Sequence, residues 1–233
     1  MFISKATLNP HRRAAKHLLA SPQRLHAAVL SAFAPSEIAH TGAGRVLWRA
    51  DAREHHVDLI VVSPGMPDLI ALVEEAGWPA TAPAETKDYD RFLSRVARGS
   101  QWHFRVRANP VHSVRQPGSR TSRRLGHVTA EHQAQWWMSR AGAVGLRVID
   151  PPAVFGDPVR AGDRVSVSER RTETFDRGGL GSDGRQRVTL TTAVFEGHAE
   201  VVDADLVRGA LINGVGRARA YGCGLMTLVS VGS

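Results

Sequence analysis

The sequence is poor in several residue types that carry specialised structure or chemistry. Its 233 residues include one cysteine, Cys223, so the chain cannot form an internal disulfide or a zinc site built from several thiolates. Its longest apolar runs, such as residues 57–62, are too short to cross a bilayer, and the N-terminus does not resemble a secretion signal. We therefore expect a cytoplasmic protein that does not span a membrane.

Lysine is also scarce, because arginine supplies 27 of the 30 basic residues. The formal net charge of +8 is unevenly distributed along the chain. Residues 1–50 carry 7 basic and 1 acidic side chain, residues 101–140 carry the same numbers, and residues 51–100 carry 5 basic and 9 acidic ones. Two basic segments that flank an acidic one indicate a polyanionic partner. Nucleic acid is the first candidate and an anionic membrane surface the second.

The order of predicted elements indicates an α+β protein with two tandem ferredoxin-like (RRM-like) domains. Each domain has the order β-α-β-β-α-β, the second with a hairpin inserted or elongated, and we predict domains at residues 1–94 and 102–233 with a linker at 95–101. In the first domain, strands are predicted at 2–8, 45–50, 57–62 and 89–93, and helices from Pro22 and at 67–76. In the second, strands are predicted at 102–108, 146–149, 165–175, 188–202 and 225–231, and helices at 129–141 and 203–212. Residues 115–128 are predicted as a basic loop and 178–184 as a flexible tip.

A glycine-rich loop, residues 214–224, follows the last predicted helix. It matches neither the phosphate-binding P-loop nor the dinucleotide motif. Its glycines would allow backbone N–H groups to approach a phosphate closely, and its arginines would add positive charge. The alternative is a tight helix-to-strand turn, and the residues alone favour neither interpretation. The candidate phosphate-binding residues of this loop are Gly214, Gly216, Arg217, Arg219, Gly222 and Gly224.

Other arginines of the second basic segment are candidates for tracking an RNA backbone. Arg105 and Arg107 are two residues apart on a predicted strand and therefore share a sheet face. The predicted basic loop adds Arg115, Arg120, Arg123 and Arg124. The alternative is a solvated face that aids solubility. We interpret the neighbouring Trp136-Trp137 pair as core packing rather than as a base-stacking platform.

His26 differs from the other histidines because it lies at the rim of the apolar face of the predicted helix that begins at Pro22. Such a position alone is more typical of a structural or surface histidine, although a ligand can reach it. The two most basic segments contain only Glu37 and Glu131, too few carboxylates for a two-metal nuclease. If the chain cuts nucleic acid, metal-free chemistry is favoured, and that chemistry needs the ribose 2′-OH of RNA. Cys223 has no identifiable base partner and is interpreted as structural.

Several segments, taken in order and spacing, resemble the CasE family, the CRISPR RNA-processing endoribonucleases of the type I-E Cascade system. The matching segments span the whole chain. They are residues 2–10, Arg24-Leu25-His26, Phe104 to Pro110, Val194 to Gly197, Gly214 to Gly216 and Gly222 to Leu225.

The resemblance implies a function for the chain. It implies binding of the repeat hairpin of CRISPR precursor RNA and metal-independent cleavage at the 3′ base of that hairpin by the 2′-OH, without a cofactor. It further implies that the product stays bound, with the protein as a subunit beside the other Cascade subunits. We expect a monomer when the protein is free.

The same resemblance places the catalytic histidine at His26. Family members often carry a tyrosine three residues earlier, where this chain has Gln23, so we consider both Gln23 and Arg24 as residues that assist His26. One or more arginines from the segment Arg170 to Arg187 are expected to stabilise the transition state. The main alternatives are a non-catalytic RNA-binding subunit and a protein that binds DNA or a membrane surface through its basic patches.

Overall fold

The computed structural model describes residues 1–34, 44–115, 122–150, 164–177 and 186–231. The first half contains β1 (Phe2–Leu8), α1 (Arg13–Leu19), α2 (Pro22–Leu30), β2 (Leu47–Ala52), β3 (Val57–Ser63), α3 (Ile70–Ala76), β4 (Glu85–Asp88) and α4 (Asp90–Leu93). The second half contains β5 (Gln101–Ala108), β6 (Val111–Arg115), β7 (Ser122–Gly126), α5 (Ala130–Ala143), β8 (Leu146–Ile149), β9 (Val165–Arg177), β10 (Gln186–Val201), α6 (Ala204–Asn213), a 3-10 helix (Arg219–Tyr221) and β11 (Met226–Ser230).

Each half forms an antiparallel sheet with the strand order of a ferredoxin-like domain. The first sheet has the order β2-β3-β1-β4, and the second has the order β11-β5-β10-β8. In both sheets the first and third core strands are central and the second and fourth are at the edges. The predicted α+β fold with two ferredoxin-like domains is therefore confirmed. The predicted linker at 95–101 remains a prediction; it follows α4, and its last residue, Gln101, is the first residue of β5.

The second domain carries two β-hairpins in addition to its core elements. One consists of β6 and β7, which pair only with each other in the described part of the chain. The other consists of β9 and the first part of β10, with a register shift between Thr192 and Val194. Strand β10 then continues into the sheet, where β8 pairs with its residues 198–201. The predicted flexible tip at 178–184 lies outside the described residues.

The predicted strand at 89–93 is wrong. Tyr89 and Leu93 are both buried, but they are spaced i, i+4 around the helical turn α4. The fourth strand of the first sheet is instead β4, residues 85–88, which pairs with β1 from Phe2 to Lys5. This edge strand has no buried residue, so it shows none of the apolar alternation by which strands are recognised.

The predicted basic loop at 115–128 is wrong at Arg115 and at residues 122–126, which belong to strands β6 and β7, while residues 116–121 lie outside the described residues. A ribbon that is not part of a larger sheet does not need an apolar face, which removes the sequence signal for a strand. Helix α1 was not predicted either. It has no acidic residue in its first turn and no side-chain cap, and only Ala15 is fully buried. The helix is therefore stabilised by packing in the folded domain and not by capping or charge interactions within the helix.

Two faces of the first sheet are buried against different partners, and this arrangement positions the candidate site. One face packs against the helices of its own domain, where Leu25 of α2 and Trp48 of β2 belong to the same apolar core. The opposite face contributes Leu47 and Val62 to the core of the second domain. Because side chains alternate along β2, Trp48 points toward α2 while its neighbours point toward the second domain.

Candidate active site

His26 lies on α2 and is half-buried. The indole Nε1–H of Trp48 donates a hydrogen bond to His26 Nδ1 at 3.2 Å, and the two rings are stacked with centroids 6.5 Å apart. Because Nδ1 accepts this bond, neutral His26 carries its proton on Nε2. Burial also lowers the pKa of His26 below its ordinary value. At neutral pH the histidine is therefore mainly neutral and presents an N–H group at Nε2.

The glycine-rich loop supports Trp48 from the other side. Gly222 has φ of +74°, and a Cβ atom at this position would lie 2.6 Å from Cζ3 of Trp48. Only glycine fits both the backbone conformation and the space. The adjacent 3-10 helix contacts α2 and β2. The loop thus packs against the tryptophan that orients His26.

The loop also carries positive charge that the protein leaves unpaired. Arg217 is exposed, and Nε of the half-buried Arg219 has no hydrogen-bond partner among the described residues. Burial lowers the pKa of Arg219, and the nearby charge of Arg45 lowers it further. In the described ranges no carboxylate pairs with any of these three arginines. Two close cations without a counter-ion form a favourable place for a phosphate.

Both residues predicted to assist His26 lie on α2 with it. Gln23 is half-buried in the first turn. Arg24 is exposed, and its Nη1 lies 3.3 Å from the carbonyl oxygen and 3.4 Å from Nδ1 of His17 on α1. These contacts tie α2 to α1. The side chain that the structure places against His26 is Trp48, which sequence reasoning missed because no local pattern connects residues 22 positions apart.

A cleft of about 200 Å³ lies between the two domains beside this group. Trp48 and the start of α2 line it from the first domain, and Arg107, Arg171 and Tyr221 are among the residues that line it from the second. Among the arginines of segment 170–187, Arg171 is thus placed in the cleft. Arg170 points elsewhere, because its guanidinium bonds Oε1 of Gln133 at 3.0 Å and the backbone carbonyl of Val128.

Arg105 and Arg107 share a sheet face as predicted, but their environments contain carboxylates. Arg105 pairs with Glu169 and Glu196, each at 2.7 Å, and its Nε lies 3.4 Å from Asp51 of the first domain. Arg107 lies 3.6 Å from Glu169. The guanidinium of Arg105 is therefore already neutralised by the protein, and it links the two domains. Its role in RNA binding remains a prediction.

The remaining predicted RNA-binding arginines are placed on or near the β6–β7 hairpin. Arg115 ends β6, and Arg123 and Arg124 lie in β7. Arg120 falls outside the described residues. The sequence therefore concentrates basic residues on a hairpin that pairs with no other strand in the described part of the chain.

Comparison with known proteins identifies the family. The model of a family described as "CRISPR associated protein" matches residues 1–229. The chain belongs to this family.

Two relatives within the CRISPR-associated family support the more specific resemblance to CasE. The CRISPR-associated endoribonuclease Cse3 of Thermus thermophilus is 26% identical over 231 residues, which cover 98% of this chain and 99% of the relative. A solved structure of CRISPR endoribonuclease Cse3 bound to 19 nt RNA is 25% identical, covers 98% of this chain and 100% of that chain, and has a TM-score of 0.75. The predicted resemblance to CasE is confirmed.

A second solved structure has the same fold at lower identity. The CRISPR-associated protein Cas6e from Escherichia coli K-12 is 21% identical, covers 99% of this chain and 100% of that chain, and has a TM-score of 0.65. At this identity the likeness shows the fold alone.

Cys223 does not have the properties of a nucleophile. It is fully buried, and burial raises the pKa of its thiol to about 12, so the thiolate is not populated at neutral pH. This agrees with its structural interpretation. Among the described residues, no three His, Cys, Asp or Glu side chains are grouped to hold a metal ion. No helix in the same residues is long and apolar enough to cross a membrane.

Proposed function

We propose that the protein is an endoribonuclease that binds the repeat hairpin of CRISPR precursor RNA and cleaves at its 3′ base by attack of the RNA 2′-OH, without a metal ion. The observation that carries this proposal is the hydrogen bond from Trp48 to His26 beside an interdomain cleft. A histidine that only solvates the surface would not require a hydrogen bond from a buried indole that fixes its tautomer. Membership of the CRISPR-associated family and the likeness to Cse3 support the choice of RNA as the substrate.

The roles of the residues follow from their placement. Because Nδ1 of His26 is held by Trp48, Nε2 is the nitrogen that faces the RNA, and after the ring has taken up a second proton it donates the Nε2 proton to the leaving 5′-oxygen as a general acid. Arg171 lines the cleft and is the candidate for stabilising the negative charge of the transition state. The 2′-OH gives its proton to water as the 2′-oxygen bonds to phosphorus, and the bond from phosphorus to the 5′-oxygen of the next nucleotide breaks as that oxygen takes the Nε2 proton of His26. The products are a 5′-OH end and a 2′,3′-cyclic phosphate, which opens to a 3′-phosphate if water adds.

Four further arginines account for RNA binding outside the reacting phosphate. Arg219 lies in the 3-10 helix that contacts α2 and β2, Arg217 lies earlier in the same glycine-rich loop, and Arg123 and Arg124 lie on the β6–β7 hairpin. In the described part of the chain, neither Arg217 nor Arg219 pairs with a carboxylate. The cleaved RNA would stay bound, with the protein as a Cascade subunit, as the CasE resemblance implies.

The first prediction tests the role of His26. His26→Ala should lower the cleavage rate by about 10²–10⁴-fold, the usual contribution of a general acid or base, and leave the dissociation constant for the hairpin nearly unchanged. The measurement is single-turnover cleavage of a labelled repeat hairpin together with a binding titration. His55→Ala is the matched control. Because the His55 side chain is 82% exposed, this variant should cleave the hairpin at the wild-type rate.

Two controls, one on metal ions and one on the substrate, separate the mechanism from the main alternative. Cleavage should continue in excess EDTA, and a single 2′-deoxy nucleotide at the cut site should abolish it without weakening binding. Cleavage of the 2′-deoxy substrate, or loss of activity in EDTA with recovery in magnesium, would overturn the mechanism. Tight hairpin binding without any cleavage by the wild-type protein would favour a non-catalytic RNA-binding subunit.

A further inference from the structure

A second pocket, of about 330 Å³, lies within the second domain, separate in its lining from the interdomain cleft. Its walls are formed by β6, by α5 through Trp136 and Arg140, by Asn109 and by the start of the glycine-rich loop at Gly216 and Arg217. We propose that this pocket binds one unpaired nucleotide of the RNA whose hairpin is held by the protein. The proposal rests on the proposed function, because it takes RNA as the ligand.

Two polar groups in the pocket walls lack the partners that buried polar groups normally have. Asn109 is 8% exposed, and its Oδ1 has no hydrogen-bond partner in the described ranges. Nε1 of Trp136 is likewise buried and without a partner among the residues that the structure describes. More than nine in ten buried polar groups in proteins are paired, so an unsatisfied acceptor and donor lining one pocket indicate a ligand. A nucleobase edge carries both complementary groups, an amino donor for Asn109 and a ring nitrogen or carbonyl acceptor for Trp136.

The positive charge of the pocket walls is suited to the phosphate of a nucleotide. Arg140, Arg217 and His112 line it, and its lining includes no carboxylate. This contrasts with the interdomain cleft, where Glu169 and Glu173 accompany the arginines. Arg140 lies over the ring of Trp136, with its Cζ 5.7 Å from the ring centroid, so a guanidinium is held at the pocket wall. An exposed arginine at this point can pair with the phosphate of a nucleotide whose base enters the pocket.

The glycine-rich loop connects this pocket to the candidate active site. Gly216 lies against Trp136, with an added Cβ 3.6 Å from the ring, while Gly222 at the other end lies against Trp48. The loop thus extends from Trp48 to the pocket wall, and Arg219 and Arg217 lie between Gly222 and Gly216 in the sequence. The volume is at the lower end of the roughly 300–1,000 Å³ of small-ligand sites, which suits one nucleotide and excludes a duplex.

The test is an abasic scan of the unpaired nucleotides on both sides of the repeat hairpin. Each nucleotide is replaced in turn by an abasic one, in RNA that carries a 2′-deoxy residue at the cut site so that binding alone is measured. For the wild-type protein we expect one position at which loss of the base weakens binding by roughly 5- to 150-fold, the range for a single bound base.

Two protein variants then assign that position to the pocket. In Asn109→Leu and in Arg140→Ala, the intact RNA and the RNA abasic at that position should bind nearly equally. In Arg98→Ala, which removes an exposed arginine from the predicted linker, the difference should persist. Asn109→Leu should melt no lower than the wild type, because it replaces an unsatisfied polar group by an apolar one of similar size. If Asn109→Leu fails to fold, the exposed Arg140→Ala decides alone.

The proposal is overturned if no abasic position weakens binding, or if the difference persists in every folded pocket variant. Either result leaves the proposed function standing as long as the wild type binds and cuts the unmodified hairpin. Failure to bind or cut that hairpin is instead the failure of the proposed function.

Discussion

At the scale of single residues, the contact between Trp48 and His26 gives the site its chemistry. The indole N–H stabilises the form of His26 in which Nδ1 is unprotonated, and a proton added at Nδ1 would face this donor. Burial of the imidazole acts in the same direction and lowers its pKa. Both effects favour neutral His26 and hold the proton of the neutral ring on Nε2.

The second prediction follows from this contact. Trp48→Phe removes the N–H donor and keeps an aromatic ring, so the pKa of His26 should rise toward its ordinary value. NMR titration of the His26 ring proton would measure the shift, and the pH dependence of cleavage should move to higher pH with it. Trp78→Phe, on the same domain but in an isolated bridge with Ala82, is the matched control. An unchanged pKa in Trp48→Phe would show that the indole does not control His26.

Only part of this residue pair could be predicted from the sequence. The position of His26 at the rim of a helix is visible in the apolar spacing of α2, and the CasE resemblance selected it as catalytic. Trp48 sits on a different element, and its importance depends on which face of β2 meets α2. That choice is made when the sheet assembles, because Leu47 and Trp48 are both apolar and both buried.

At the scale of elements, the glycine-rich loop connects fold and site. Its residues left open whether glycine serves phosphate binding or turn geometry. The structure shows positive φ at all four of its glycines, so the geometric need is present. Close packing of Gly222 on Trp48 adds a requirement that a turn alone would not impose. The arginines of the loop remain available for phosphate, so the two interpretations are compatible.

The third prediction separates backbone strain from collision in this loop. Gly99→Ala should cost about 1–2 kcal/mol of unfolding free energy, because φ is +84° there and an added Cβ meets no atom within 4 Å. Gly222→Ala carries the same strain and also places Cβ against the Trp48 ring, which should add about 1–3 kcal/mol. Chemical denaturation measures both values.

The same pair of variants also reports on the site. Gly222→Ala should slow cleavage because it displaces the indole that orients His26, whereas Gly99→Ala should cleave at the wild-type rate when folded. Equal stability and equal cleavage in the two variants would contradict the role given to the loop.

At the scale of the whole molecule, one buried arginine joins the domains. Arg49 of β2 is 3% exposed and donates to both carboxylate oxygens of Asp51. It also donates to the backbone carbonyls of Arg105 and Leu225 and to Oγ1 of Thr227, all in the second domain. The relative position of the two domains, and hence the cleft beside His26, depends on these bonds. No sequence pattern indicates them, because they connect residues 56 to 178 positions apart.

The fourth prediction concerns this link. Arg49→Met leaves the buried carboxylate of Asp51 with only the long 3.4 Å contact to Arg105, and should cost about 3–5 kcal/mol of unfolding free energy. The double variant Arg49→Met, Asp51→Leu should recover part of that loss, because it removes both charges. Arg53→Met is the control, since Arg53 is half exposed and its pair with Asp58 should contribute less than about 1 kcal/mol. A loss in Arg49→Met no larger than in Arg53→Met would contradict the link.

The distribution of charge over the whole molecule separates arginines that hold the fold from arginines available to RNA. The sequence groups Arg105 with Arg123 and Arg124, because all lie in one segment that carries 7 basic and 1 acidic side chain. In the structure, Arg105 is surrounded by Asp51, Glu169 and Glu196, which come from other segments. Local charge therefore identifies the basic region but not the partners that folding brings to it.

The last prediction uses the salt dependence of hairpin binding to make this separation measurable. Arg123→Glu and Arg124→Glu, on the β6–β7 hairpin, should leave the melting temperature nearly unchanged. Each phosphate contact that they remove should reduce the slope of log affinity against log salt by roughly 0.7–0.9. Arg105→Glu should instead lower the melting temperature, because it places a fourth carboxylate among three that Arg105 now neutralises. Equal melting temperatures with equal slopes in all three variants would show that the hairpin arginines only solvate the surface and that the interdomain network is dispensable.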